Sequence, residues 1–379
     1  MNIEQTRWTE AKGWEPALPG TLGETAHLVL LFGSTSLLKE QQYLVEIKRA
    51  YPKAHLLGCS TSGEICGTLV FDDSLVATAV SFEYTQLQGT RSKIRDVGSS
   101  FITGERLAQS FDTEELVHVF VLSDGLHVNG SELVAGLTRH LPPHVTVTGG
   151  LSGDGARFQE TLVFWDGEPE QHVIVALGLY GSRLKVGYGS LGGWDPFGPE
   201  RLITRAKGNV LYELDGNSAL ELYKRYLGEH ATGLPATGLL FPLSIRTKES
   251  DTAVVRTILS VSDAEQSMTF AGDVPEGVYA RFMKANVDRL IDGAAGAAKT
   301  SYEAAGATSP DLAVLVSCIG RKLVLKQRTE EEVEGVREIL GDQTVLTGFY
   351  SYGEIAPFTP GARCDLHNQT MTITTFSER

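Results

Sequence analysis

Short apolar runs recur along the chain, and three of them open segments that share one order of elements. The opening runs span residues 27–34, 116–125 and 311–318 and are almost entirely apolar. Such runs are typical of strands that are buried on both faces of a sheet. An amphipathic stretch with helical periodicity follows each run, at residues 37–50, 131–140 and 329–340. A second short apolar run then follows each predicted helix.

The spacing of these runs predicts parallel strands that are joined by a helix. Gly33 and Leu56 lie 23 positions apart, and Ser317 and Val345 lie 28 positions apart. A parallel connection needs a dozen or more residues, so both distances are long enough. The second helix also has a clear start, because Asn129 can cap it and Glu132 follows three residues later.

Each segment continues with a turn that contains glycine and an acidic residue, and then closes with another apolar strand. The turns are Ser62-Gly63-Glu64, Ser152-Gly153-Asp154 and Tyr352-Gly353-Glu354, and the closing strands span residues 74–83, 172–181 and 370–376. The repeated order predicts an α/β protein with mixed sheets, built from repeated β-α-β-β units and arranged in two lobes.

The material between the second and third segments has a different pattern. It contains a Gly/Pro-rich loop at 187–198, a short helix at 219–227, strands at 239–245, 253–261 and 267–270, and an Ala-rich helix at 277–305. Thr232-Gly233-Leu234-Pro235 is the best candidate for a domain boundary. We therefore expect an irregular lead-in at 1–24, a first domain at 25–230 and a second domain at 231–379.

Composition and charge limit the partners and the cellular location that are expected for this protein. The formal net charge of −14 argues against nucleic acid or an anionic membrane as the main partner. No apolar stretch is long enough to span a membrane, and the first residues lack an apolar signal core. The four cysteines are too few for a disulfide scaffold, so reduced thiols and a cytoplasmic location are expected.

The glycine-acid turns allow two interpretations. The carboxylates of Glu64, Asp154 and Glu354 can line a ligand site, because open α/β sheets bind ligands at the carboxyl ends of their strands. Alternatively, the turns need glycine for its backbone freedom, and the acid accepts backbone N–H bonds.

Further candidates follow the opening strands. Asp124 and Asn129 lie beside a helix N-terminus, which suits an anionic ligand. Arg321 can clamp a carboxylate, or it can pair with Glu354 or another nearby acid. Cys318 is a buried apolar side chain or, with Arg321 beside it, a reactive thiol.

Among the nine histidines, His127 and His367 are the best candidates for a functional role. His127 follows a buried strand, and His367 directly precedes Asn368. The sequence contains neither a zinc-protease motif nor the nucleophile elbow of hydrolases.

Several short motifs in fixed order resemble the FIST family, whose members have a FIST N half followed by a FIST C half. The matching stretches are GCSTSGEI (58–65), SDGLHVNGSELV (123–134), TGGLSGDG (148–155), GGWDPFGP (192–199), RTILSV (256–261), GDVPEG (272–277), SCIGR (317–321), GFYSYGEIAP (348–357) and LHNQTMT (366–372). The resemblance covers residues 25–379.

The resemblance implies a signal-input protein without catalysis that binds a small ligand and regulates a separate partner. One stand-alone bacterial subset of similar length senses nitric oxide through haem and modulates a histidine kinase, which implies an axial histidine, here His367 or His127. The alternative is a sensor of amino acids or other small metabolites without haem. The predicted ligand residues are Asp124, Asn129, Asp154, Cys318, Arg321, Tyr352, Glu354 and His367.

A third hypothesis belongs to a different class. It is an enzyme that acts on a small carboxylate, with Cys318 as nucleophile and Glu354 or Asp154 as acid/base.

Overall fold

The computed structural model describes residues 1–94, 100–234, 236–246, 253–358 and 361–379. The helices in these ranges are α1 (Thr35–Leu38), α2 (Gln41–Ala50), α3 (Ser100–Gln109), α4 (Gly130–His140), α5 (Ala219–Leu227), α6 (Val287–Ala304), α7 (Ile319–Leu325) and α8 (Thr329–Leu340). Short 3-10 turns lie at Gly23–Thr25, Gly228–Gly233, Ala236–Leu240 and Lys326–Arg328.

The strands of the first half are β1 (Asn2–Thr9), β2 (Gly13–Glu15), β3 (Leu28–Gly33), β4 (His55–Ser60), β5 (Glu64–Cys66), β6 (Leu69–Phe71), β7 (Leu75–Ser81), β8 (Gln86–Lys93), β9 (Leu116–Ser123), β10 (Thr146–Leu151), β11 (Val163–Trp165), β12 (Val173–Tyr180) and β13 (Leu184–Leu191). Those of the second half are β14 (Asp195–Lys207), β15 (Val210–Leu214), β16 (Asn217–Ser218), β17 (Leu243–Arg246), β18 (Val254–Arg256), β19 (Ile258–Ser262), β20 (Ser267–Phe270), β21 (Tyr279–Lys284), β22 (Leu312–Cys318), β23 (Val345–Ser351), β24 (Gly353–Pro357), β25 (Cys364–His367) and β26 (Met371–Glu378).

Three six-stranded sheets share one plan, and we call them the body. Their strand orders are β11-β4-β3-β7-β1-β2, β25-β24-β10-β9-β12-β8 and β13-β26-β22-β23-β5-β6. In each sheet a parallel pair (β3 and β4, β9 and β10, β22 and β23) lies beside an antiparallel closing strand. We refer to the three chain segments that supply these parallel pairs as repeats 1, 2 and 3, in chain order. The predicted α/β class with mixed sheets is confirmed.

Each repeat gives the strand after its glycine-acid turn to a neighbouring repeat. Strand β5 of repeat 1 pairs with β23 of repeat 3, and β24 of repeat 3 pairs with β10 of repeat 2. Strand β11 of repeat 2 pairs with β4 of repeat 1, which closes the cycle. The turns therefore lie where the chain passes from one sheet to the next.

The three sheets enclose one shared apolar core. Buried side chains from every repeat meet in it, among them Leu30, Phe120 and Val314. The outer faces of the sheets carry separate cores, against α2 in repeat 1, against α3 and α4 in repeat 2, and against α6 and α8 in repeat 3. Both faces of the central strands are thus buried, which explains why their sequences are continuous apolar runs.

A fourth sheet, which we call the inserted sheet, interrupts repeat 3 between β13 and α6. Its order is β18-β17-β21-β14-β15-β20-β19, with β16 beside β15, and α5 packs on it. The predicted strands of this region are present in outline. The helix expected at 277–305 is instead β21 followed by α6, and the side chain of Asn286 caps α6 by accepting the N–H of Arg289.

The expected lead-in at 1–24 and the expected domain boundary at 232–235 can be compared with the structure. The lead-in at 1–24 is not irregular throughout, because β1 pairs from Asn2 to Trp8 with β7 and extends the sheet of repeat 1. The residue that ends the proposed boundary at 232–235, Pro235, lies outside the described residues. Within the described ranges, no helix combines the length and apolar character that crossing a membrane requires.

Candidate functional site

The three glycine-acid turns meet where the repeats exchange strands. The N–H of Gly153 donates to the carbonyl of Ser60 at 2.9 Å, and the hydroxyl of Tyr352 donates to the carbonyl of Gly155 at 2.8 Å. The exposed fractions of the carboxylate residues are 1% for Glu64, 1% for Asp154 and 0% for Glu354. The turns are therefore close together, but their carboxylates lie inside the protein.

Glu64 and Glu354 have matching surroundings in repeats 1 and 3. The Glu64 carboxyl accepts from the hydroxyls of Thr61 and Ser74, the second at 2.7 Å. Glu354 accepts from Ser351 at 2.7 Å and from the hydroxyl of Thr370 at 2.9 Å. Burial raises the pKa of each carboxyl to about 7, despite these hydrogen bonds. This pattern supports the interpretation of the two turns as structural.

These two carboxyls are expected to make stability depend on pH. The folded protein keeps their protons up to a pKa of about 7, whereas the unfolded chain loses them near 4.5. Stability should therefore fall as the pH rises from about 4.5 to 7, by on the order of 1–3 kcal/mol for each group. Urea unfolding at pH 5 and pH 8 measures this difference.

The variant Glu354→Gln should reduce the pH difference, because glutamine is neutral at both pH values and still accepts from Thr370. The exposed Glu10 provides the control, and Glu10→Gln should leave the difference unchanged. An equal pH difference in Glu354→Gln and in the wild type would contradict the assignment.

Asp154 is not the counterpart of Glu64 and Glu354, although the sequence pattern predicts it. Three pairs of residues in the parallel ladders lie at equivalent positions in the three repeats. These pairs are Gly33 with Ser60, Ser123 with Leu151, and Ser317 with Tyr350. Glu64 and Glu354 each lie four residues after the second member of their pair, Ser60 and Tyr350. In repeat 2 the residue four positions after Leu151 is Gly155, and Asp154 lies one position earlier. The Asp154 carboxylate instead accepts the N–H groups of Phe158, Gln159 and Glu160, so it fixes the loop before β11.

Asp124 lies at the end of β9 and is fully buried. Its carboxylate accepts the N–H groups of Leu126, His127 and His172 at 2.8, 2.8 and 2.7 Å. The Nδ1 atom of His127 lies 3.1 Å from Oδ1 of Asp124. Asp124, His127 and His172 together form a group that can hold a metal ion, since one ligand atom from each lies within 4.8 Å of the others.

Arg321 is fully buried and pairs with Glu332, not with Glu354. Its Nη2 atom lies 2.7 Å from Oε2 of Glu332. The same guanidinium donates to the carbonyls of Gly192 and Leu290 at 2.9 and 2.6 Å. These two residues flank the inserted sheet in the chain, so Arg321 anchors both of its connections to the body.

Cys318 offers little support for the enzyme hypothesis. Its side chain is 1% exposed, and burial raises the pKa of the thiol, with the charge of Glu354 adding to the effect. A nucleophilic cysteine needs a thiolate in an electropositive, accessible setting. Arg321 does not supply that setting, because its charge is matched by Glu332.

A second group of polar residues lies where the inserted sheet contacts the body, and we call it the interface cluster. Its members are Asn129, Ser131, Arg256, Thr257, Asp273, His367, Asn368 and Gln369. Asn129 at the start of α4 donates to Asp273 at 2.9 Å. The Nη1 atom of Arg256 donates to the carbonyl of Leu366 at 2.8 Å, and its Nε atom donates to the carbonyl of Asp273 at 3.2 Å.

Five polar atoms of the interface cluster are buried without a hydrogen-bond partner. They are Ser131 Oγ, Thr257 Oγ1, His367 Nδ1, Asn368 Nδ2 and Gln369 Oε1. An unpaired buried polar group costs about 1–3 kcal/mol, so a concentration of them at one contact calls for an explanation. A bound ligand that supplies the missing partners is one such explanation.

An opening leads toward this cluster from the surface. A cavity of about 190 Å³ is lined by Ser131, Val134, Ala135, Arg363, Cys364 and Asp365. Asp365 lies 3.8 Å from Nη2 of Arg256, so the cavity ends beside the cluster. A larger cavity of about 520 Å³ shares Ala135, Arg363 and Cys364 and continues toward Tyr188 and Pro357.

The two histidines predicted as axial haem ligands do not line either cavity. The Nε2 atom of His367 lies 2.7 Å from the carbonyl oxygen of Ala356, and Phe358 packs edge-on against its ring at 4.1 Å. His127 is half-buried, and its ring lies 4.0 Å from that of His172. Haem binding through His367 or His127 stays a prediction.

Comparison with known proteins decides the family. Residues 27–217 match the FIST N domain, and residues 219–357 match the FIST C domain. The chain belongs to the FIST family. FIST domains are sensory, ligand-binding domains of signalling proteins. The inserted sheet of this FIST protein lies across the junction of the two matched domains.

A curated relative of this FIST protein is "Uncharacterized protein MJ1623" of Methanocaldococcus jannaschii. It is 25% identical over 338 residues, which are 80% of this chain and 62% of the relative. The chain therefore spans less than two thirds of that relative's length.

Two solved structures of cyanuric acid hydrolase are distantly similar. The one from A. caulinodans has a TM-score of 0.35 and 9% identity, and the match covers 100% of this chain and 99% of that chain. The other, described under the words "evolutionary innovation by structural concatenation", has a TM-score of 0.18 and 12% identity over 78% of this chain and 100% of that chain. At these scores the similarity supports no conclusion about this FIST protein.

Sequence reasoning named some residues of the interface cluster and missed others. Asn129 and His367 were predicted, whereas Arg256, Asp273 and Asn368 were not. All three stand in stretches that resemble the FIST family, RTILSV, GDVPEG and LHNQTMT. The position of these polar residues inside the resembling stretches was the signal that could have identified them as site residues.

Proposed function

We propose that this FIST protein senses a small zwitterionic metabolite, an amino acid or a close analogue, at the interface cluster. The observation that carries the proposal is the set of five buried, unpaired polar atoms at the contact between the inserted sheet and the body. A ligand with several hydrogen-bonding groups would satisfy them and hold the two parts together. The contact between the inserted sheet and the body would then be less stable without the ligand than with it.

Arg256 is suited to the carboxylate of such a ligand. Its side chain is buried, and burial lowers the pKa of its guanidinium. Two of its nitrogens donate to backbone carbonyls, and the nearest carboxylate oxygen, on Asp365, lies 3.8 Å away. The charges of Asp365 and Asp273 lie near this guanidinium, and a ligand carboxylate would add a direct charge-assisted hydrogen bond to it.

An ammonium group of the ligand would find two acidic side chains at the cluster, Asp273 and its neighbour Glu132. Burial raises the pKa of Glu132, and the nearby charge of Asp273 raises it further. The Oε2 atom of Glu132 is buried without a partner. An ammonium group would donate to this oxygen, and the nearby negative charge of Asp273 would favour a positive charge at this position.

The connections of the inserted sheet give a route from the ligand to the rest of the molecule. The backbone oxygen of Gln369 accepts the indole N–H of Trp194, at the entry to the inserted sheet. Arg321 binds the carbonyl of Gly192, just before the inserted sheet, and that of Leu290, in the first turn of α6 that follows it. Ligand binding would shift the population toward one position of the inserted sheet, which a separate signalling protein, a histidine kinase by the resemblance, would recognise.

Thermal-shift screening and calorimetry with the standard amino acids test the proposal. At least one amino acid should raise the melting temperature, because a ligand specific for the folded state stabilises it. The variant Arg256→Gln should weaken binding by about 10- to 100-fold, since a hydrogen bond to a charged group contributes about 1.5–3 kcal/mol. The exposed Arg205 on the same sheet gives the control, and Arg205→Gln should bind as the wild type does.

Analogues and a second variant sharpen the test. Asn368→Ala should also weaken binding, which keeps the test valid if Arg256→Gln folds poorly. Analogues that lack either the amino or the carboxyl group should bind more weakly than the parent amino acid. Equal affinity of wild type and both variants, or no ligand among the amino acids, would refute the site. A Soret band on adding haem that disappears in His127→Ala would support the haem hypothesis instead.

A further inference from the structure

The three repeats allow an internal comparison at the start of each closing strand. The N–H groups of Ser34, Asp124 and Cys318 donate to the carbonyls of Ser74, Val173 and Thr370, which makes these positions equivalent. The residues just before the acceptors are Asp73, His172 and Gln369, and all three have a positive φ, of 51°, 61° and 65°. The backbone is thus the same in all repeats, while the side chains differ.

Only repeat 2 combines a carboxylate with imidazoles at these positions. Repeat 1 carries Ser34 and Asp73, and repeat 3 carries Cys318 and Gln369. In repeat 2 the corresponding residues are Asp124 and His172, and His127 lies beside them. Repeats 1 and 3 form the same backbone without imidazoles, so the shared fold does not require the two histidines of repeat 2.

The geometry of the three side chains suits a metal ion. One ligand atom from each lies within 4.8 Å of the others. Nδ1 of His127 lies 3.1 and 3.2 Å from the two carboxylate oxygens of Asp124. Two ligands of a tetrahedral ion at bond lengths of about 2.0–2.1 Å stand about 3.4 Å apart, so this pair has the right spacing. The half-buried His172 ring supplies the third ligand atom of the group.

The surroundings fix one ligand and leave the others accessible. Three backbone N–H groups hold the Asp124 carboxylate in place, as outer hydrogen bonds commonly orient a metal-ligating carboxylate. His127 and His172 are half-buried, so an ion can reach them from solvent. One carboxylate with two imidazoles is a ligand set for borderline divalent ions such as Zn²⁺, Co²⁺ and Ni²⁺, with at least one position left for water or another ligand.

We propose that Asp124, His127 and His172 bind a divalent transition-metal ion of this class. The ion would tie the loop after β9 to the start of β12. The same loop continues to Asn129, which contacts Asp273 in the loop after β20 of the inserted sheet. The metal site is independent of the proposed ligand site, although the two share this loop.

Calorimetry with Zn²⁺ and visible absorption with Co²⁺ test the proposal on the full chain without a histidine tag. One ion should bind per protein, and bound Co²⁺ should show the absorption bands of a coordinated, low-symmetry site. The variants His172→Asn and His127→Asn should each weaken Zn²⁺ binding by at least about 10-fold and remove or change the Co²⁺ bands. His144→Asn, at an exposed histidine of the same repeat, should leave both measurements unchanged.

Two results would overturn the proposal. One is the absence of saturable binding of Zn²⁺ and Co²⁺ at concentrations up to about 1 mM, which corresponds to a negligible affinity for a metal site. The other is binding of equal strength in the wild type and in the folded histidine variants, as checked by circular dichroism. If His172→Asn does not fold, the Co²⁺ spectrum of His127→Asn alone tests the proposal. This spectrum reports on metal ligation and not on stability.

Discussion

Replacing Arg321 by leucine is expected to lower the free energy of unfolding by about 3–5 kcal/mol. The side chains of Arg321 and Glu332 are both 0% exposed, and the variant leaves the Glu332 charge buried without its partner. The carbonyls of Gly192 and Leu290 would lose their donors as well. Urea unfolding followed by circular dichroism measures the loss.

Arg328 gives a matched control in the same part of the chain. It pairs with two acids, Glu331 and Asp288, where Arg321 pairs with one, but its side chain is 45% exposed. Surface ion pairs contribute about 0–1 kcal/mol, so Arg328→Leu should change stability little. A double variant, Arg321→Leu with Glu332→Leu, should recover part of the loss because it removes the unpaired charge. Equal effects of Arg321→Leu and Arg328→Leu would show that the buried pair is not an anchor.

Replacing Gly348 by alanine is expected to cost about 4 kcal/mol or more and to reduce the yield of folded protein. Gly348 on β23 has a φ of +156°, and a Cβ atom there would lie 1.9 Å from the carbonyl oxygen of Leu315 on the adjacent strand. The equivalent Gly149 would approach Val121 equally closely. The parallel strands can come together at this point only because the residue lacks a side chain.

Gly67 is the control for the backbone contribution alone. It lies in the same sheet between β5 and β6, with a φ of +61°, and a Cβ atom there would have no neighbouring atom within 4 Å. Gly67→Ala should therefore cost only about 1–2 kcal/mol, the penalty of the left-handed conformation. If Gly348→Ala were no worse than Gly67→Ala, the close approach of the strands would not limit stability. Soluble yield and urea midpoints compare the two variants.

The repeated units were predictable because burial leaves a direct record in the sequence. Strands β3, β9 and β22 are covered on both faces, so each reads as an apolar run. The strands that pair with β5, β11 and β24 were not predictable. The sequence of a short segment indicates that it is extended, but it does not indicate which sheet the segment joins. For the same reason, the polar β1 reads in the sequence as an irregular lead-in.

The candidate site was predictable only in part. Asn129 and His367 stand beside strong local signals, a helix start and a resembling motif. Arg256 lies on β18 of the inserted sheet and Asp273 in the loop after β20. The short strands of this sheet carry weak periodicity, and only the folded contact brings the two residues to the body. Arg321 was identified as important, but its partner Glu332 is one of three consecutive acids on α8 that the sequence alone does not distinguish.

The cyclic exchange of strands has a consequence for synthesis of the chain on the ribosome. Strand β10 ends at Leu151, but its neighbour β24 begins at Gly353, so repeat 2 keeps an unpaired strand edge until most of the chain has been made. Repeat 3 likewise needs β26 before its parallel pair is enclosed. Exposed edges of this kind recruit other chains into aggregates, so nascent copies of this protein depend on being kept apart until the last repeat emerges.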